Sequence, residues 1–198
     1  MRLNEIAQIK TGLVLTRKKA EISYEVQASY RILTLKNINV DGFFNDEPFE
    51  TFHSNDQIDP QYFTQPGDVL IRFNHPHTAV FIGEEYAGLL VPSYFAIIKI
   101  VRKGFLPEFV AWYLNTEDVK KQLLRFQSGS MIPSTNKSVL GQIDIPELPE
   151  NYQEAITILA RLFHKEKRLY QRLIREKEQL FKAVTRQVMR DTQGRKRR

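Results

Sequence analysis

The feature that most constrains this chain is the stretch of residues 154–190, which contains neither proline nor glycine. Its apolar residues recur at helical spacing: Ile156, Leu159, Leu162 and Phe163, then Leu169, Tyr170, Leu173, Leu180, Val184 and Val188. Leu159, Leu173 and Leu180 share one heptad position, with Glu166 as its polar member, and Leu162 and Leu169 share a second. Two seams at alternating steps of three and four are what a helix needs to lie against a partner helix. At 1.5 Å per residue the stretch would be about 55 Å long, more than a domain of this size spans. The helix is therefore expected to project from the body or bind another chain, in preference to folding back as an ordinary amphipathic core helix.

A chain of 198 residues can bury one good core, or a domain plus an appendage. Its 42% hydrophobic and 26% charged residues are those of a soluble globular protein. No apolar run approaches the roughly eighteen residues of a membrane span. The opening Met1-Arg2-Leu3-Asn4-Glu5 has an acid where a signal peptide would carry apolar residues. The absence of cysteine excludes disulfides and thiolate metal sites. A cytoplasmic location is expected. The net charge of +6 is local: residues 182–198 hold seven Lys/Arg against one Asp, and the rest of the chain is balanced. Nucleic-acid binding by the body would need a local positive face, not a global field.

Ahead of the long helix, Leu3-Asn4-Glu5-Ile6-Ala7-Gln8-Ile9 reads as a helical turn or two, stopped by Thr11-Gly12. Tyr30-Arg31-Ile32-Leu33-Thr34-Leu35 is a strand candidate that continues through Val40 to a turn at Asp41-Gly42. Ile58 to Phe63 gives another short element, and Gln65-Pro66-Gly67-Asp68 a strong turn. Val69-Leu70-Ile71 and Ala79-Val80-Phe81-Ile82 read as buried strands. The most apolar run, residues 95–101, is the candidate for a central strand. From Pro107 the period becomes helical, through Phe109, Val110, Trp112 and Leu114, then Val119, Leu123 and Leu124. Pro146 and Pro149 mark a hinge before the long helix. The fold class is α+β: a globular body at 1–145, the long helix segment at 146–191, and a disordered basic tail at 192–198.

A catalytic constellation is missing. The sequence has no Gly-Lys-Ser/Thr phosphate loop, no His-Glu-x-x-His and no Gly-x-Ser-x-Gly. His75 and His77, with His53, are the best metal candidates, but no carboxylate at ligand spacing completes a site and His164 lies on the long helix. No metal and no cofactor is expected. For nucleic acid the residue types are suitable. Arg17, Lys18 and Lys19 suit phosphates, and Arg72 and Asn74 can read base edges because Arg pairs with guanine and Asn with adenine. Ser130, Ser134, Asn136 and Lys137 form a further small-polar and basic cluster. Each group taken alone also fits a solvated surface loop.

Several separated stretches together resemble the specificity (S) subunits of type I DNA restriction–modification systems. They are the Leu3-Asn4-Glu5-Ile6-Ala7 opening with Gly12, and Gly67-Asp68-Val69-Leu70-Ile71. Then come Pro107 to Asn115 ending in Tyr113-Leu114-Asn115, Ser128-Gly129-Ser130, and Ile143-Asp144-Ile145-Pro146 with Gln153. Pro146-Glu147-Leu148-Pro149-Glu150 departs from the family by lacking its usual proline pair. The resemblance implies a target-recognition domain followed by a spacer helix, one half of a typical two-domain subunit. It implies a non-catalytic protein that binds double-stranded DNA and docks modification (methyltransferase) subunits, and with them restriction subunits, which carry the chemistry.

On this reading two copies pair through Leu159, Leu162, Leu169, Leu173 and Leu180, and read a bipartite inverted target as a homodimer. The expected DNA contacts are Arg17, Lys18, Lys19, Arg72, Asn74, His75, His77, Ser130, Asn136 and Lys137. Two alternatives stand beside it. One is a structural or interaction protein whose helix docks a partner without DNA. The other is a small metal-dependent nuclease built on His75 and His77.

Overall fold

Strands β1 (Ala7–Thr11), β4 (Asp68–Arg72), β5 (Ala79–Phe81) and β6 (Phe95–Ile100) form an antiparallel sheet in the order β1-β6-β4-β5. The computed structural model that shows this describes residues 1–125 and 135–195. By internal contacts the chain divides into two units, Met1–Thr157 and Ile158–Arg198. β6 is central, as its composition predicts. Strands alternate their side chains between faces, so an interior strand covered on both sides must be apolar throughout. Val69, Ile71, Ala96 and Ile98 enter one core with Leu3, Ile6, Phe109, Val110 and Leu114. Leu70, Phe95 and Ile97 enter a second, with Leu33, Val80, Leu89 and Val91. Burying a side chain such as Leu70 contributes about 2 kcal/mol. A smaller sheet pairs β2 (Ala28–Ile32) with β3 (Glu50–Ser54), over a third cluster around Ile32, Phe52 and Leu90.

The helices of this unit are short: α1 (Leu3–Ile6), α2 (Pro107–Leu114), α3 (Glu117–Arg125) and α4 (Lys137–Gly141). Pro107 sits in the first turn of α2, where its missing N–H has no intrahelical partner to lose. Together with the long α5 (Glu150–Arg195) these elements give the α+β class expected.

Local differences from the sequence reading have physical causes. The opening is a single helical turn followed by β1, because residues 7–11 pair with β6 instead of continuing the helix. At the end of β1 a Cβ on Gly12 would stand 2.3 Å from the Pro92 carbonyl oxygen, so the strand can close against residues 91–93 only through glycine. The strand expected to run on from Tyr30 ends at Ile32, and a 3-10 turn follows at Leu35–Asn37. The buried Asn37 amide causes it. Its Oδ1 accepts from the Thr34 N–H and hydroxyl, both at 2.8 Å, and so competes with the ladder. The body reaches Thr157, past the expected 145, and α5 continues to Arg195, into the tail expected to be disordered; residues 196–198 lie outside the described residues.

Gln153 explains why the first turn of α5 belongs to the body. It is fully buried. Its Oε1 accepts from the Leu106 N–H at 2.9 Å, and its Nε2 donates to Gly104 and Leu148 carbonyls, both at 2.7 Å. One side chain thus satisfies the loop before α2 and the chain leading into α5. In the second unit, Leu159, Leu162, Leu169, Leu173 and Leu180 are all exposed, by 47% or more. Among the described residues no helix is long and apolar enough to cross a membrane.

Replacing Gln153 by Leu removes three part-buried hydrogen bonds that join the loop before α2 to the chain entering α5. A stability loss of about 3 kcal/mol is expected, measured as a lowered urea midpoint at constant slope.

Candidate nucleic-acid interface

The β4–β5 connection, residues 73–78, carries Asn74, His75 and His77. Its neck closes through the Arg72 N–H on the Thr78 carbonyl at 3.1 Å, and its tip turns through the His77 N–H on the Asn74 carbonyl at 2.9 Å. The His75–Pro76 peptide is cis, and His77 has φ of 53°, a left-handed conformation that histidine adopts more readily than most residues. The two imidazoles do not share one side of the chain. Asn74 and His75 are exposed, whereas His77 is buried with Nδ1 3.3 Å from the Arg72 carbonyl oxygen. Their rings stand nearly perpendicular with centroids 6.2 Å apart. Among the described residues no group of three or more His, Asp or Glu is arranged to hold a metal ion.

Arg72 is differently employed from the sequence expectation. Its guanidinium donates through Nη2 to the Leu35 carbonyl and, at 2.7 Å, to the Ile38 carbonyl, while Nε is buried without a partner among the described residues. Burial pulls its pKa below the ordinary arginine value, with Tyr94 acting the other way. Arginine titrates so high that it remains charged at neutral pH. The side chain is a tether between β4 and the 35–38 turn. No sequence signal announces this, because its acceptors are backbone carbonyls more than thirty residues away.

Sequence reasoning also missed the role of Asn115. Its Oδ1 accepts from the Ala79 N–H at 2.9 Å and its Nδ2 donates to the Ala79 carbonyl at 2.8 Å. It thereby pins the start of β5, where the 73–78 loop ends. The signal was present as the Asn closing Tyr113-Leu114-Asn115, read as a motif but not as a clamp.

Asn136 and Lys137 come close to this loop. The Thr135 N–H donates to the Phe73 carbonyl at 2.7 Å. Asn136 caps α4, its Oδ1 accepting from the Val139 N–H at 3.0 Å, and Lys137 is exposed in the first turn. Ser130 and Ser134 lie outside the described residues.

Arg17, Lys18 and Lys19 are elsewhere. Lys18 forms an ion pair with Asp56, and its carbonyl accepts from the Asn55 N–H and the Ser54 hydroxyl. Lys19 bridges to Ser54, which pairs with Ala28, whereas the loop-proximal end of the small sheet is Ile32 opposite Glu50. Four residues of extended strand, about 13 Å, separate those ends. The structure gathers Arg72, Asn74, His75, His77, Asn136 and Lys137, and leaves the 17–19 turn apart.

No protein-family model and no curated protein sequence matches this chain. Solved structures match by fold. A chain from a type I restriction–modification system, in work on its complex assembly and conformational transition, aligns with a TM-score of 0.62 at 19% identity. That alignment covers 93% of this chain and 42% of the other. The HsdS subunit from Thermoanaerobacter tengcongensis aligns with a TM-score of 0.62 at 16% identity, over 87% and 43%. The type I S subunit from M. genitalium gives 0.50 at 16%, over 87% and 40%. The protein therefore has the fold seen in type I specificity subunits, and spans less than half the length of those it matches.

Asn136→Ala should cost about 1 kcal/mol through loss of the α4 cap, and Asn136→Ser should recover most of it. Denaturant titration of the two variants checks this.

Proposed function

We propose that the protein is a non-catalytic DNA-recognition subunit of a type I restriction–modification complex, acting in the cytoplasm. The observation that carries the reading is the shared fold, joined to the polar loop cluster at one end of the main sheet. There Asn74, His75 and Lys137 are exposed on a framework pinned by Asn115 and Asn136. Loops fixed on a rigid scaffold suit recognition, because little entropy is lost when they meet a surface. Asn offers the paired donor and acceptor that adenine presents in the major groove, and Lys suits phosphate oxygens. Arg17 and Lys19, exposed at the other end of the small sheet, are proposed as outlying backbone contacts.

The second unit supplies the assembly half of the proposal. At 3.6 residues per turn, Leu162, Leu169, Leu173 and Leu180 fall within about 40° of one another, with Leu159 about 60° from Leu162. Phe163, Tyr170 and Phe181, also exposed, form a second stripe about 90° around the helix. The two stripes together are wider than the a/d seam of a two-stranded coil. The leucines would pair with the same helix of a second copy, and the aromatic stripe leaves apolar surface for modification subunits. Two copies related by a two-fold axis would read an inverted, bipartite target.

Selection on random duplexes, with modification subunits present, should enrich a defined half-site. Affinity for it should fall as salt rises, with a logarithmic slope near −0.9 per phosphate contacted. Enrichment of nothing, or salt-insensitive binding, would sink the DNA-reading function. For the assembly, Leu169→Asp with Leu173→Asp should convert a dimer to a monomer in sedimentation; an unchanged mass would mean that the seam lies elsewhere.

A further inference from the structure

Residues 35–42 form a loop, where the sequence reads as a strand continuing through Val40 to a turn at Asp41-Gly42. The structure holds it at both ends against residues that flank the 73–78 loop, Arg72 of β4 and Ala79 of β5. At its start, the Arg72 guanidinium holds the carbonyls of Leu35 and Ile38. At its end, Gly42 lies against the Asn115–Ala79 pair so closely that a Cβ there would stand 2.4 Å from the Ala79 oxygen and 2.4 Å from Asn115 Nδ2. Gly42 has φ of 84°, which glycine alone adopts without strain.

Between these points the loop satisfies its own polar groups. Asn39 Oδ1 accepts from the N–H groups of Asp41 at 2.9 Å and Phe43 at 3.1 Å, and the Asn39 N–H donates to the Phe43 carbonyl at 2.9 Å. Asn37 and Ile38 are buried. The loop exposes two apolar side chains, Leu35 at 43% and Val40 at 66% accessible, beside the charged Lys36 and Asp41. Its only lysine, Lys36, is paired with Glu50, and Asp41 next to Val40 is exposed and acidic. A loop of this kind is poorly suited to phosphates. Apolar side chains on a stiff loop suit base edges, where a valine or leucine meets a thymine methyl or wedges at a base step.

We propose that residues 35–42 are a second specificity-determining loop, with Val40 and Leu35 meeting the bases and Arg72 acting as a positioning residue that keeps this loop in register with the 73–78 loop. The inference rests on the DNA-reading function proposed above. A contact made by Asn74 or His75 and one made by Val40 would then fall at a fixed spacing within one half-site, because the two loops cannot shift independently.

The test repeats the selection on random duplexes with the wild-type chain, Val40→Ser, Leu35→Ser and Arg72→Gln, each with modification subunits. Val40→Ser and Leu35→Ser should weaken the preference at one or two neighbouring base positions by about tenfold. Affinity for unrelated duplex and the melting temperature should stay at wild-type values. Arg72→Gln should flatten preference at those same positions and speed amide hydrogen exchange across residues 35–42. If Val40→Ser and Leu35→Ser both enrich the wild-type half-site with unchanged preferences, the loop does not read DNA and the inference is overturned, while DNA reading by the protein stands. If the wild-type chain enriches nothing, both readings fall together. Because Val40 and Leu35 are surface residues, the test holds even if Arg72→Gln fails to fold.

Discussion

The constraint on which the body depends is that its main sheet is covered on both faces. β4 and β6 send alternate residues into two separate apolar cores, which fill both faces at the middle of the sheet. Polar work is thereby pushed to the ends of the strands, where the backbone leaves the ladder and side chains can reach solvent. The connection between β4 and β5, which carries Asn74 and His75, is such a place. So is the Thr135–Lys137 segment that hydrogen-bonds to it.

A sheet buried in this way creates a second requirement. Loops that pass close to it must satisfy backbone groups without a neighbouring strand, and a buried group left unpaired costs about 1–3 kcal/mol. Side-chain amides meet that requirement repeatedly here. Asn37 ends β2's path with a turn, Asn115 pins Ala79, and Gln153 joins the loop before α2 to the start of α5. Each amide both donates and accepts, so a single residue can fix two passing chains. Arg72 does the same with donors only. The rigidity these fasteners give is what allows exposed loop residues to hold a fixed geometry.

Much of the architecture was legible in the chain. The central position of β6 followed from an apolar run with no polar face. The helices after Pro107 followed from the change of period. The long helix followed from an uninterrupted stretch with two apolar seams. The site was less legible. Asn74, Asn136 and Lys137 were identified by residue type and do come together, whereas Arg17, Lys18 and Lys19 have the same kind of chemistry at the other end of the small sheet. Arg72 was read as able to pair with base edges, and its guanidinium also tethers the 35–38 turn through two backbone carbonyls. The strand from Tyr30 was read as continuing through Val40 to a turn at Asp41-Gly42, but Asn37 turned the chain first.

What the sequence by itself determined is therefore the strongly periodic part: the buried strands β4 to β6, the helices after Pro107, and that the C-terminal helix carries more apolar surface than an exposed helix needs. These follow from patterns local to a few turns or pleats, and short-range sterics and hydrophobic spacing decide them. What only the tertiary structure decided is the partner of each polar side chain. Whether an arginine or asparagine faces solvent or a carbonyl depends on chain segments 34 to 47 residues distant, as with Arg72 and Ile38, Asn115 and Ala79, or Gln153 and Leu106. Hydrogen bonds are directional and satisfied only at contact, so no pattern along the chain encodes them until the fold brings both ends together.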